Sequence, residues 1–330
     1  LSVISLKPKV GLFEGLAFLI KRRTALAGGF FVFCLLCAKA VFAGGSIGVD
    51  YLSSEVTVSG FRDSTSQIQS VGPGVSLALN LDDSWAVNLS HSSVDSDGVV
   101  ETSDNNRISV GVESESSSNG FGLSYYGDSF WAGLRYRQSQ DEQRVRGVSS
   151  LNPALGLDID QMQDSQSLTF ELGRDWLLGN WSPAISVSIS QLSLGIERVE
   201  RLDTLNLSTI QGLREDLNGL DLGLSASIAY YFQVSDSVLL APNLGIFHQS
   251  NLSGDVSGLA AFGRNSGGRN QQVSQEYREN LNTPGDTSLD VGINLLAGDW
   301  LWSLGALTSL SSDAGNQSSD AWFMALNYSF

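Results

Sequence analysis

Leu220-Asp221-Leu222-Gly223-Leu224-Ser225-Ala226-Ser227-Ile228-Ala229-Tyr230-Tyr231-Phe232 is the stretch whose pattern decides the fold. Leu220, Leu222, Leu224, Ala226, Ile228, Tyr230 and Phe232 share one parity, and Asp221, Gly223, Ser225, Ser227, Ala229 and Tyr231 lie between them. Only an extended chain sets i, i+2 and i+4 on one face, so this is a strand with one apolar and one small, polar face. The same period returns at Val238, Leu240, Pro242, Leu244 and Ile246, at Leu289, Val291, Ile293 and Leu295, and at Leu168, Phe170 and Leu172. A soluble sandwich alternates too. Length separates the two cases: these segments run about 10–14 residues, against the five or six usual for a sandwich strand. A tilted membrane strand needs about 9–11.

Composition agrees with a membrane barrel. Charged residues make up 16% of the 330, against about a quarter in soluble domains. Thirty aromatic residues (7 Trp, 8 Tyr, 15 Phe) exclude a disordered chain. No apolar run of about 20 residues follows the N-terminal region, which excludes a helical membrane protein. The formal net charge of -16 has the wrong sign for nucleic-acid binding.

Residues 21–43 read as an export signal: Lys21, Arg22 and Arg23, an apolar run, then Val41-Phe42-Ala43 at the cleavage positions. The expected organisation is a 1–43 extension and cleaved signal peptide, followed by a 44–330 outer-membrane β-barrel domain. Cys34 and Cys37 and all four lysines leave with the signal, so 13 arginines face 34 carboxylates in the remainder, a net -21. An exported chain without disulfides suits a barrel, whose strands satisfy every edge by pairing.

Short polar breaks at Leu81-Asp82-Asp83-Ser84, Gly127-Asp128-Ser129, Leu178-Gly179-Asn180, Val234-Ser235-Asp236-Ser237 and Ala297-Gly298-Asp299 read as tight periplasmic turns. Trp85, Trp131, Trp181 and Trp300 follow four of them and are expected in an aromatic girdle at the interface. Six longer polar stretches, 54–66, 94–106, 141–164, 198–216, 251–286 and 311–320, read as external loops, of which 198–216 and 251–286 are long enough to fold inward. Five turns and six loops require twelve antiparallel strands with both ends on the periplasmic side. Separating 107–113 from 121–125 gives thirteen, and bacterial single-chain barrels have even numbers. We therefore take 107–126 as one strand, with fourteen strands as the alternative.

The last segment alternates Trp322, Met324, Leu326, Tyr328 and Phe330 and ends on the aromatic. It resembles the assembly signal of outer-membrane proteins, although Ala325 stands where that signal prefers glycine. The resemblance implies the BAM insertion machinery and periplasmic chaperones as partners, with outer-membrane lipid and lipopolysaccharide as surroundings. Phe130-Trp131-Ala132-Gly133-Leu134-Arg135-Tyr136, Leu172-Gly173-Arg174-Asp175-Trp176 and Leu240-Ala241-Pro242-Asn243-Leu244-Gly245-Ile246-Phe247-His248 resemble strands of the autotransporter translocator barrel over roughly 120–330. That family is twelve-stranded. Strand pattern here begins at Ile47, four residues past the expected cleavage, with no passenger or linker helix legible before it. The resemblance therefore implies architecture and leaves secretion of an attached passenger aside.

The functional expectation is a monomeric pore-forming or structural barrel with acidic surface loops, not an enzyme. No cofactor or metal is expected; Asp95-Ser96-Asp97-Gly98 lacks the later ligands of a calcium loop and reads as an acidic turn. The inward faces, Gly72, Gly74 and Ser76 or Ser186, Ser188 and Ser190, leave a lumen partly unfilled. Arg135 and Arg137 are expected to meet Glu171 and Asp175 as luminal ion pairs. The alternative is an outer-membrane lipid hydrolase in which His248 acts as base to Ser250 on the lipid side, since i and i+2 share a face. A soluble sandwich, released into the periplasm, is the third reading.

Overall fold

The computed structural model describes residues 44–59, 65–101, 108–149, 156–204, 207–266, 269–280, 285–311 and 317–330. Residues 1–43, which hold the expected export signal, lie outside this set. Fourteen strands are formed: β1 (Gly44–Ser59), β2 (Thr65–Asn80), β3 (Trp85–Glu101), β4 (Ile108–Tyr126), β5 (Trp131–Ser149), β6 (Gly156–Asp175), β7 (Trp181–Thr204), β8 (Leu207–Tyr230), β9 (Phe232–Ser235), β10 (Val238–Ser266), β11 (Arg269–Asn280), β12 (Asp286–Ala297), β13 (Trp300–Ser311) and β14 (Gln317–Ser329).

Twelve of them close a barrel. Strands β1 to β8 pair in sequence order, β8 pairs β10, β10 pairs β12, and β12 leads through β13 and β14 back to β1. Every pairing is antiparallel. The remaining two lie outside the closed path. β9 continues the foot of β8 along Val238–Leu240, and β11 pairs the far half of β10 from Asp255 to Ser266. Residues 107–126 fall in the single strand β4, apart from 107 itself, which precedes it. The twelve-strand reading therefore holds, and the two additional strands do not enlarge the ring. A closed ring leaves no edge with unpaired backbone groups, which is what a spanning sheet requires in lipid.

Tight turns gather at one end, with the barrel's first and last residues. Asp82 makes the first by accepting from the amides of Ser84 and Trp85, both at 2.8 Å, the local bond that suits Asp to turns. Gly179 and Gly298 sit at φ 66° and 60°, where side-chain-bearing residues are strained. Gly45 and Phe330 exchange two backbone hydrogen bonds, at 3.1 and 2.9 Å, and fix the foot of the β1–β14 seam.

The other end departs from expectation. The stretches read as external loops are mostly strand. β5 runs on to Ser149 and β6 begins at Gly156; β7 reaches Thr204 and β8 starts at Leu207; β10 extends to Ser266 and returns as β11. The described residues of 198–216 and of 251–280 thus stand up as extended hairpins and do not fold into the lumen. Asp95-Ser96-Asp97-Gly98 lies within β3 and is no turn. The physical reason is a change of phase in polarity, not in backbone. On β7, Ile185, Val187 and Ile189 face outward and Ser186, Ser188 and Ser190 inward; above Ser190 the outward positions become Gln191, Ser193 and Glu197, and the inward ones Leu192, Leu194 and Ile196. β8 mirrors this, with Leu224, Leu222 and Leu220 outward below and Asn218, Asp216 and Arg214 outward above.

The barrel thus has two storeys, which we call belt and head. In the belt the outer surface is apolar: Phe121, Leu134, Phe170, Ile185, Leu224, Leu244, Val291, Leu304 and Met324 are all exposed. No large side chain is fully buried among the described residues. The apolar residues meet their solvent, lipid, on the outside instead of meeting each other.

Candidate functional site

The lumen of the belt is built by the second parity of each strand. Register places Gly48, Asp50, Gly74 and Ser76 on one side of it, Asn88, Ser90, Gly120 and Gly122 further round, and Gly245, Asp290 and Gly292 beyond. Hydroxyls pair across strands on this inner wall. Ser92 with Ser118, Thr169 with Ser190, and Ser186 with Ser225 stand 2.9, 2.9 and 2.7 Å apart. Small side chains bonded to one another along the wall do not reach across the ring.

Charged groups punctuate that wall. Arg135 Nη2 lies 3.9 Å from Glu171 Oε2, and Glu171 also accepts from Ser186 at 2.7 Å. Arg137 shares the face but donates to Ser118 Oγ at 3.1 Å, and no carboxylate pairs with it among the described residues. Asp175, at the foot of β6, stands opposite Ala184, and no arginine pairs with it among the described residues. Of the four residues expected to interlock, the structure brings two together. Sequence reasoning missed Asp221, which accepts from Gln249 at 2.9 Å and Asn251 at 3.0 Å, and also Asp50, whose carboxylate covers Gly74, and Asp290. Their parity was readable; each sits where a small neutral residue alternates elsewhere.

Three of the four girdle tryptophans line the outer foot of the barrel. Trp85 packs on Tyr125, Trp181 on Tyr230 and Trp300 on Tyr328, with ring centroids 5.0, 4.6 and 4.8 Å apart. Trp131 belongs elsewhere: its ring covers Gly173, on the face of Glu171, and so points inward. The parity of β5 decides this, because Ala132, Leu134 and Tyr136 take the outer face. On β14, Trp322, Met324, Leu326 and Tyr328 lie outward beside Ser53, Tyr51, Val49 and Ile47 of β1, with Phe330 just beyond.

His248 faces outward, level with Leu224 of β8 and Thr287 of β12. Its Nδ1 lies 2.9 Å from Thr287 Oγ1, and no carboxylate or Ser250 bond to the ring occurs among the described residues. His91, the other histidine, pairs with Asn119 at 2.9 Å on the same outer surface. No group of three or more His, Cys, Asp or Glu side chains is placed to hold a metal among the described residues.

The head is charged on its outside. Arg144 pairs with Asp160 and Arg146 with Asp158 between β5 and β6, at 3.8 and 3.6 Å. Arg214 meets Glu197 between β8 and β7 at 3.7 Å, and Arg278 meets Asp255 between β11 and β10 at 3.2 Å. Within the head, Tyr277 reaches over Gly258 and donates its hydroxyl to Glu215, two strands away. That bond to a carboxylate pushes the phenol up to about 12.

No protein-family model matches the chain, and no curated protein does. Its fold, however, is similar to that of solved translocator barrels. The translocator domain of the autotransporter NalP from Neisseria meningitidis superposes with a TM-score of 0.58 at 13% identity, over 94% of this chain and 99% of that one. The β domain of the Bordetella autotransporter BrkA gives 0.54 at 12%, over 87% and 99%. The transport unit of AIDA-I from Escherichia coli gives 0.51 at 11%, over 86% and 90%. At identities this low the superpositions show the fold alone. Together with the apolar belt, they make the chain a twelve-stranded outer-membrane β-barrel of the autotransporter-translocator architecture.

Proposed function

We propose that the chain is a water-filled, cation-preferring pore. The carrying observation is the inner wall of the belt, where Gly, Ser and Asn predominate and the charges are unbalanced: Asp50, Glu171, Asp221 and Asp290 against Arg135 and Arg137. Small residues leave the centre of a twelve-stranded ring unfilled, and a low-dielectric wall focuses the field of its carboxylates on the channel axis. A purely structural barrel gains nothing from carboxylates at this depth, since each must be solvated there.

The same reading takes 1–43 as an N-terminal extension and cleaved signal peptide, the 322–330 segment as the element handed to the BAM machinery by periplasmic chaperones, and a monomer in lipid and lipopolysaccharide as the working form. A lipid hydrolase at His248 has less behind it, because the imidazole is engaged with Thr287. Planar-bilayer recording under a potassium chloride gradient tests the pore. Stepwise conductance is expected, with a reversal potential of cationic sign that moves towards zero in D50N/D221N/D290N. Folded protein without conductance overturns the pore, and an anionic reversal potential overturns the selectivity.

A further inference from the structure

The charges on the inner wall of the belt are sorted by side. Strands β1 to β8, β10, β12, β13 and β14 follow one another round the ring, so β5 and β6 face β13 and β14 across it. On the β5–β6 side stand Arg135, Arg137 and Glu171. Arg135 is matched by Glu171 at 3.9 Å, whereas Arg137 donates to Ser118 Oγ at 3.1 Å and meets no carboxylate among the described residues. On the facing side, the strands that flank β13 and β14 carry Asp290, on β12, and Asp50, on β1. No arginine pairs with either among the described residues. Asp290 Oδ1 is buried with no hydrogen-bonding partner among them. Phe323 of β14 lies on the arc between the two carboxylates, its ring over Gly305 of β13. These charges also share a level. Counted from the feet of their strands, at Gly44, Trp131, Asp175 and Ala297, all five stand four to seven residues up, behind the apolar belt. Of the other inward carboxylates, Asp141, Asp221 and Asp286 stand higher, and Asp175 lies at the foot.

We propose that this level is a selectivity site for small zwitterions of the amino-acid kind. The proposal rests on the pore reading and names its solute. An unmatched cation on one wall and two unmatched carboxylates on the other set a field across the axis, and the lipid-backed wall screens it less than bulk water would. A solute with an ammonium at one end and a carboxylate at the other lies along that field. Its ammonium turns to Asp50 and Asp290, where the Phe323 ring adds a π face. Its carboxylate turns to Arg137, whose planar fork matches two carboxylate oxygens. Both ends then recover part of the hydration lost on entry. A neutral solute of the same size gains none of this, and a simple cation is served by one wall only. Net charge does not produce the preference: a uniformly acidic wall has no direction across the axis along which a zwitterion could lie.

Isosmotic swelling of proteoliposomes that hold the full chain tests the site, with L-alanine compared against lactamide, a neutral amide of nearly the same size. Protein-free liposomes give the background to subtract. Alanine is expected to enter about threefold faster or more, the order of effect that a focused field has on entry. D50N/D290N and R137Q each bring the ratio towards one, while D216N, on the outer face of the head, leaves it unchanged. R137Q separates sorted charge from net charge: it removes a cation, so the cationic reversal potential grows while the preference for alanine falls. Heat-modified gel mobility confirms that each variant is folded, and if one of the two fails to fold the other carries the test. Equal entry of the two solutes, or faster entry of lactamide, overturns the site and leaves the pore standing. A preference that survives in either folded variant overturns it as well. Entry of neither solute overturns pore and site together.

Discussion

Tyr277 shows how one bond fixes a position in a wall of small residues. Gly258 lies directly between Tyr277 and Glu215 in register, and the ring occupies the space that any β-carbon at 258 would need. Glycine there is a matter of room, not of backbone freedom. The hydroxyl donates to an ionised carboxylate, which favours the neutral phenol and raises its pKa from 10 to about 12. The sign follows: the folded pKa exceeds the unfolded one, so the contribution is complete below pH 10 and is lost as pH rises through about 12. Ultraviolet titration of the tyrosines should find one phenol ionising late in the wild type and rejoining the others in E215Q. An unaltered titration curve in E215Q would remove Glu215 as the cause. Trp131 makes the companion point. Proximity to a turn suggested a girdle residue, but a girdle needs outward parity as well, and one residue of offset sends the ring to Gly173.

At the scale of the element, the belt was legible and the head was not. Period two with leucine on one face and serine or glycine on the other is plain in 220–232 and 185–190, because in lipid the apolar face must be continuous. Above the belt the alternation persists, as in Leu192-Ser193-Leu194-Gly195-Ile196-Glu197, but its polar residues carry charge and its apolar phase is reversed. Read as composition, 198–216 and 251–286 look like loops; read as parity, their described residues up to 280 are strands. The exchange on β7 falls between Ile189 and Gln191, and it makes a prediction about energy. Ile185→Arg, in the middle of the belt segment of β7, should cost about 2–4 kcal/mol of folding free energy in liposomes, as charges near the bilayer midplane do. Ser193→Arg, of the same parity but above the change of phase, should cost little. Equal penalties at the two sites, by urea titration, would place the boundary elsewhere. The luminal charges were legible only in part: Arg135 and Glu171 fall opposite neighbours one offset apart, but Arg137 was drawn to Ser118 on the other adjacent strand, which strand order alone does not foretell.

For the whole molecule, closure and polarity together define the account. A ring of twelve strands has no edges, an apolar skirt at the height of the belt, a polar lumen within it, and above it a head whose outer face carries charge and whose inner face is mixed, with Leu192, Leu194 and Leu217 beside Ser165, Gln163 and Gln161. The skirt's lower rim is marked by the Trp–Tyr pairs at 85/125, 181/230 and 300/328. Fold similarity to translocator domains follows from the ring; the chemistry of the lumen and head belongs to this sequence. The two storeys can be read in one experiment, because Cys34 and Cys37 are the only cysteines. With both replaced by serine, single cysteines from position 183 to 199 along β7 are spin-labelled in liposomes, and their accessibility to oxygen and to a water-soluble nickel complex is compared. The account predicts oxygen-dominated exposure at 185, 187 and 189, nickel-dominated exposure at 191, 193 and 197, and the opposite phase at the even positions of the belt. Lipid exposure that continues at odd positions beyond 191, or an absence of alternation between 183 and 190, would contradict it.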